Sequence, residues 1–218
     1  NCVQKICGNE KINRKILGKP KMKRRGNMER TAEQKAGRRA GVRDLTYIGI
    51  MVAFMAVCSW ISIPTAVPFT MQTFAVFLAV GVFGGRRGTM AVLVYILLGA
   101  VGMPVFAGFS GGIGVLVGLT GGYIAGFVLT ALIMWGMERA FGRKTAVFWC
   151  SAVLGLMACY AFGTFWYLFM YARTAEPVGI MTVLGWCVIP FVIPDLLKIT
   201  LAAAMSKRLG KAVRSMEA

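Results

Sequence analysis

The sequence predicts an all-α integral membrane protein of six transmembrane helices with both termini cytoplasmic, and three observations lead there. Hydrophobic residues fill 57% of the 218 positions and charged ones only 15%, with mean hydropathy +0.68. That is more apolar surface than a soluble domain can hide. The apolar residues gather into about six runs of spanning or near-spanning length. The cations between those runs fall on one side of the bundle they would form.

In chain order, the first span covers about Leu45 to Ile63 and stops at IPTAVP, where two prolines end helical pairing. A short second span, about Met71 to Phe83, is closed by GGRRG, and a third covers about Thr89 to Val105. A glycine-rich external connection leads to the fourth, about Gly121 to Met137, which ends in ERAFGRK. The fifth covers about Ala146 to Tyr171, and the sixth, about Val188 to Met205, ends in KRLGKAVR. Residues 1–44 form a basic tail, 45–213 a membrane domain and 214–218 a C-terminal tail.

Net charge is +17, yet the charge is distributed as topology signals, and no nucleic-acid partner is expected. Fourteen of the 25 Lys and Arg residues precede residue 45. Arg86 and Arg87, Arg139 with Arg143 and Lys144, and Lys207, Arg208, Lys211 and Arg214 share the side of the N-terminal tail, whereas the opposite loops hold only Arg173 and Glu176. That side is the cytoplasmic one by the positive-inside rule. Arg24-Arg25-Gly26 ahead of Met28 is encodable by the purine-rich AGG-AGG-GGN at start-codon distance. Met28 is therefore the expected start, 1–27 a translated leader, and Cys2 and Cys7 without meaning. A cleavable signal peptide is not expected, because the first apolar run is long enough to stay as an anchor.

Several chemistries are excluded. Histidine is absent, which removes imidazole catalysis and most zinc sites. The six cysteines form no CxxC pair, and Cys58, Cys150, Cys159 and Cys187 sit in apolar runs as small hydrophobes. No GxxxxGK[ST] loop exists for nucleotide phosphates. In the membrane portion the carboxylates are Glu138, Glu176 and Asp195, without a paired acidic cluster, so an enzyme is not expected and no cofactor is called for.

Three features remain. Asp195 and Lys198 stand inside the apolar run WCVIPFVIPDLLKITLAAAM, three residues apart and on one face of a helix. Either charge alone at mid-bilayer costs about 2.5–3.5 kcal/mol on insertion scales, so the pair should face an interior, as a ligand site or a structural ion pair. Pro190 and Pro194 favour a broken or late-starting helix close to them. The segment 102–127, GMPVFAGFSGGIGVLVGLTGGYIAGF, has the glycines for tight turns and the aromatics Phe106, Phe109 and Tyr123 for an apolar wall. An ordinary loop with packing glycines would read the same way. Gly49 and Ala53 make a small-xxx-small pair on the first span that lets another helix approach.

VPFTMQTFAVFLAVGVFGGRRG (67–88), YILLGAVGMPVFAGFSGGIGVLVGLTGGYIAGF (95–127) and IPDLLK (193–198) together resemble the BioY family of biotin-specific substrate-binding subunits of energy-coupling-factor (ECF) transporters. The resemblance covers about residues 45–213. It implies a multi-pass subunit of the prokaryotic cell membrane that captures biotin. Its partners would be a transmembrane scaffold subunit and paired ATP-binding subunits. The family's small-xxx-small scaffold contact falls on Gly49 and Ala53, and its Gly-Pro-Thr-Gly-Gly-Tyr appears as Gly118-Leu119-Thr120-Gly121-Gly122-Tyr123, without the proline. On this reading Asp195, Lys198, Gln72, Phe106, Gly108, Thr120, Gly121, Gly122 and Tyr123 are expected to bind biotin, with Phe109 and Trp60 as further walls. Asp195 would accept a ureido N–H, and Lys198 would donate to the ureido carbonyl or pair with the valerate carboxylate. A self-sufficient biotin transporter with Asp195 as a proton site, and an ECF subunit for another vitamin, are the competing expectations.

Overall fold

A computed structural model describes residues 41–63, 68–174 and 179–217. The leader reading, Cys2 and Cys7, the tail through residue 40, Glu176, the Arg214 side chain and residue 218 lie outside the described residues. Chain contacts divide the protein into Asn1–Leu45 and Thr46–Ala218, and the packing below is that of the second unit.

The described chain is mostly helical, with one small departure from all-α. Helix α1 (Gly41–Trp60) is followed by β1 (Ser62–Ile63), which pairs antiparallel with β2 (Phe69–Thr70), Ser62 opposite Thr70. Then come α2 (Gln72–Phe83), α3 (Gly85–Val101), a 3-10 turn (Ala107–Phe109), α4 (Ile113–Val117), α5 (Gly121–Phe141), α6 (Thr145–Thr174), α7 (Ile180–Cys187) and α8 (Ile189–Glu217).

Among the described residues, four helical stretches are long and apolar enough to cross a membrane: Gly41–Trp60, Gly121–Phe141, Thr145–Arg173 and Ile180–Val213. Helices α2 and α3, with 12 and 17 residues, rise about 18 and 26 Å at 1.5 Å per residue, short of a hydrocarbon core of about 30 Å. Helix α3 also begins four residues before the sequence expectation, taking Arg86 and Arg87 into its first turn. Its start is fixed from outside the helix: Glu138 Oε2 accepts the Gly85 N–H at 2.6 Å, placing a carboxylate at the positive end of α3.

The closest helix packing joins α5 to α6, and small residues make it possible. A Cβ on Gly122 would run into Trp166, one on Gly126 would lie 2.7 Å from Cys159 Sγ, and one on Gly155 would lie 2.8 Å from the Thr130 methyl carbon. Two small-residue rows thus interlock antiparallel, and Thr130 Oγ1 donates across the seam to the Gly155 carbonyl at 2.9 Å. Helix α2 is buried along nearly its whole length and packs on α8, with α3 against both α2 and α5. A helix apolar on all sides belongs in the interior of a bundle.

The helix of the sixth apolar run starts afresh at the head of that run, the late start being one of the two outcomes its prolines favour. Helix α7 ends at Cys187, Val188 leaves helical geometry at φ −124°, and α8 starts at Ile189 with Pro190 in its first turn, where a missing N–H goes unnoticed. Pro194 lies inside α8 and deprives the Pro190 carbonyl of its intrahelical donor. Asp195 and Lys198 follow within the next turn.

Candidate functional site

The N-terminal turns of α2, α5 and α8 meet the turn after α3 around a cavity of about 160 Å³. Asp195 and Lys198 line it, with 2% and 5% of their surface exposed. Lys198 Nζ donates to Asp195 Oδ1 at 2.7 Å and to the Thr70 carbonyl at 2.7 Å, and it lies 4.2 Å from the centre of the Phe69 ring. The three faces of the ammonium are thereby a carboxylate, a backbone dipole and a π-cloud.

Asp195 is held as firmly. Thr73 Oγ1 donates to Oδ1 at 3.0 Å, and the Tyr160 hydroxyl donates to Oδ2 at 2.5 Å. Three donors from α2, α6 and α8 converge on the carboxylate, as burial of such a group requires. Asp195 Oδ2, with one donor, keeps a lone pair to accept with, and the Lys198 N–H that faces only the Phe69 ring is the one a stronger acceptor can redirect, so the neutral pair offers an acceptor beside a donor. Neither Thr73 nor Tyr160 was expected from sequence. A tyrosine hydroxyl in the apolar run MACYAFG needs a buried partner, and that was the available signal.

Gln72, Thr120 and Tyr123 also line the cavity. Tyr95 spends its single proton on the Val105 carbonyl at 2.7 Å, so it can only accept from Gln72 Nε2, at 2.5 Å. That fixes the amide and turns Gln72 Oε1 away from Tyr95 as an acceptor. Tyr123 is anchored 3.3 Å from Thr164 Oγ1. Phe106 is 1% exposed, lines the cavity and meets Tyr95 edge to face at 5.6 Å.

The remaining expected residues lie off the cavity. Gly108, at φ +66°, reverses the chain so that the Phe106 N–H donates to the Ser110 carbonyl at 3.0 Å. The same reversal sends Phe109 outward, 64% exposed, where it stacks on Trp60 at 4.9 Å. Trp60 and Phe109 therefore cover one another and do not wall the cavity. Gly121 and Gly122 serve close packing: a Cβ on either would strike the Leu116 carbonyl or Trp166, respectively. Gly49 and Ala53 are exposed on α1, in one stripe with Val57.

Apolar helices of spanning length enclosing a recess with a buried ion pair define a class, that of helical membrane proteins with an internal polar pocket at one end. Within that class the chain belongs to the BioY family, whose sequence profile matches residues 27–215. It is 44% identical over 173 residues to the biotin transporter BioY of Thermotoga maritima, covering 78% of this chain and 97% of that protein. It is 36% identical over 168 residues to the probable biotin transporter BioY of Pyrococcus horikoshii, covering 77% and 96%. Its fold matches the crystal structure of the S-component for biotin from an ECF-type ABC transporter with TM-score 0.72 and 24% identity, covering 79% of this chain and 93% of the other.

Proposed function

We propose that this protein is the biotin-capturing S-component of an ECF-type transporter, a six-span subunit of the prokaryotic cell membrane with both termini in the cytoplasm. The observation that carries the reading is the Asp195–Lys198 pair, 2.7 Å apart in the cavity wall. A cyclic urea offers an N–H beside a carbonyl along one edge, and an acceptor beside a donor is the matching edge. Asp195 Oδ2 accepts one ureido N–H beside its bond from Tyr160, Lys198 turns the N–H that faces the Phe69 ring to the ureido carbonyl, and Gln72 Oε1 is the acceptor for the second N–H. Phe106, Tyr123 and Thr120 contact the sulfur-containing ring and the chain beyond it, while Gly108, Gly121 and Gly122 shape the backbone that carries them.

Six spans follow if α2 and α3 count as short crossings, a reading supported by the loop charges as well as by the helices' apolar character. On this reading the chain is a transport subunit and not an enzyme, and the free energy of accumulation comes from ATP-binding subunits through a transmembrane scaffold. The exposed stripe of Gly49 and Ala53 is the scaffold contact, where glycine's missing side chain allows helix axes to approach. Titration of the purified full chain with biotin, thiamin and riboflavin tests ligand identity. Saturable binding of biotin alone is expected, and equal or absent binding of all three overturns the assignment.

A further inference from the structure

At the opposite end of the bundle lies a second cavity, of about 300 Å³, that the capture of biotin does not use. The C-terminal turns of α2 and α5, the C-terminal half of α8 and the first two turns of α6 surround it. Among the described residues, four cations line it, Arg143, Lys144, Lys207 and Lys211, with a single carboxylate, Glu138. Both oxygens of that carboxylate are already engaged, Oε1 by Arg143 Nε at 3.0 Å and Oε2 by the Gly85 N–H at 2.6 Å. Arg143 is also bound to the Gly81 and Val82 carbonyls at the end of α2, each at 3.3 Å. Arg143 and Glu138 therefore cancel within the wall. Among the described residues, Lys144, Lys207 and Lys211 make no ion pair.

Topology signals account for cations at this end of the bundle, but not for their convergence. Ala203, Lys207 and Lys211, at i, i+4 and i+8, run along one face of α8 from buried Ala203 outward to the two exposed lysines, while Arg208 lies off that face. Deeper in, Val80, Met134, Val147 and Phe148 make an apolar wall. Three uncompensated ammonium groups at the mouth of a low-dielectric recess focus positive potential into it. An anion with an attached apolar body fits both halves.

We propose that this recess binds a phosphate group, specifically the headgroup of an anionic lipid from the adjoining leaflet, which is the cytoplasmic one on the loop-charge reading. Free phosphate shares the ionic chemistry but cannot use the apolar wall. The proposal is independent of what the Asp195 cavity binds.

The test is a titration of the detergent-solubilised full chain with short-chain phosphatidylglycerol and, separately, phosphatidylcholine, read by native mass spectrometry. One phosphatidylglycerol is expected to bind in preference to phosphatidylcholine. Losing two cation–headgroup contacts, in Lys207→Gln with Lys211→Gln, should weaken that binding about 30-fold, and Lys144→Gln alone should weaken it about fivefold. Arg86→Gln with Arg139→Gln removes the same charge at the same end but outside the recess, and should change affinity less than about threefold. Equal losses in the two double variants, or no headgroup preference, overturn the proposal. Displacement of the lipid by inorganic phosphate at comparable concentration assigns the recess to free phosphate and overturns the lipid. If the Lys207 and Lys211 variant does not fold, the Lys144 variant decides, and unchanged affinity there overturns the site.

Discussion

Replacing Lys198 by Met removes the cation and leaves Asp195 buried at 2% exposure. Breaking a buried ion pair from one side costs about 3–5 kcal/mol, because the remaining charge is uncompensated. Here Asp195 keeps two donors, Thr73 Oγ1 at 3.0 Å and the Tyr160 hydroxyl at 2.5 Å, and hydrogen bonds to a charged group are worth about 1.5–3 kcal/mol each. The loss therefore falls at the lower end, about 3 kcal/mol, or roughly 6–12 °C in thermal unfolding for a chain of this size. Adding Asp195→Asn removes the second charge while the amide oxygen still accepts from Tyr160. Stability of the double variant should return to within about 1 kcal/mol of the wild type, since neutral replacements of buried pairs are close to neutral in stability. Biotin binding should nevertheless fall about 100-fold or more in both variants, because the ureido edge has lost its charged partners. Thermal unfolding in one detergent and calorimetric titration with biotin read the two quantities separately. Additive destabilisation in the double variant would refute the account of a coupled buried pair, and retained binding would refute the site.

Three further outcomes follow from the geometry. Tyr160→Phe keeps the ring and deletes the donor to Asp195 Oδ2, so unfolding measurements should show a loss of about 1.5–3 kcal/mol; an unchanged midpoint would mean that this bond contributes nothing. Gly126→Val places carbon where Cys159 Sγ is 2.7 Å and Cys159 Cα 3.1 Å away, and should sharply reduce monodisperse protein on size exclusion, whereas Gly136→Ala, in open space, should not. Gly49→Leu with Ala53→Leu should leave biotin affinity unchanged while abolishing co-purification with the scaffold subunit, and a wild-type yield of complex would remove the stripe from the interface.

Much of this was legible because lipid makes polarity conspicuous. Asp195 and Lys198 stand out in an apolar run, and neither can be left unpaired. The prolines beside them favour a broken or late-starting helix, and α8 starts at Ile189, after Val188 leaves helical geometry. The partners of Asp195 were hidden for a different reason: Tyr160 is 35 residues away and Thr73 is 122, and no periodicity links positions on separate helices. Aromatic type also misled at Phe109, because the left-handed backbone at Gly108 and Phe109 decides which ring turns inward, and composition carries no such sign. In the case of Gly121 and Gly122, sequence shows that a side chain is missing but not which neighbour fills its place.

The Val105 carbonyl receives two hydroxyl donors, Ser59 from α1 at 2.5 Å and Tyr95 from α3 at 2.7 Å. One oxygen therefore acts as a rivet through three layers: the helix that bears Gly49 and Ala53, the chain reversal carrying Phe106, and the helix whose Tyr95 orients Gln72. Trp60 Nε1, donating to the Pro104 carbonyl at 2.9 Å, adds a second fastening one residue along. Pulling on α1 from the membrane side thus cannot leave the pocket floor undisturbed. Either these bonds shear, at about 1 kcal/mol each, or the chain reversal that carries Phe106 into the cavity wall moves with the helix.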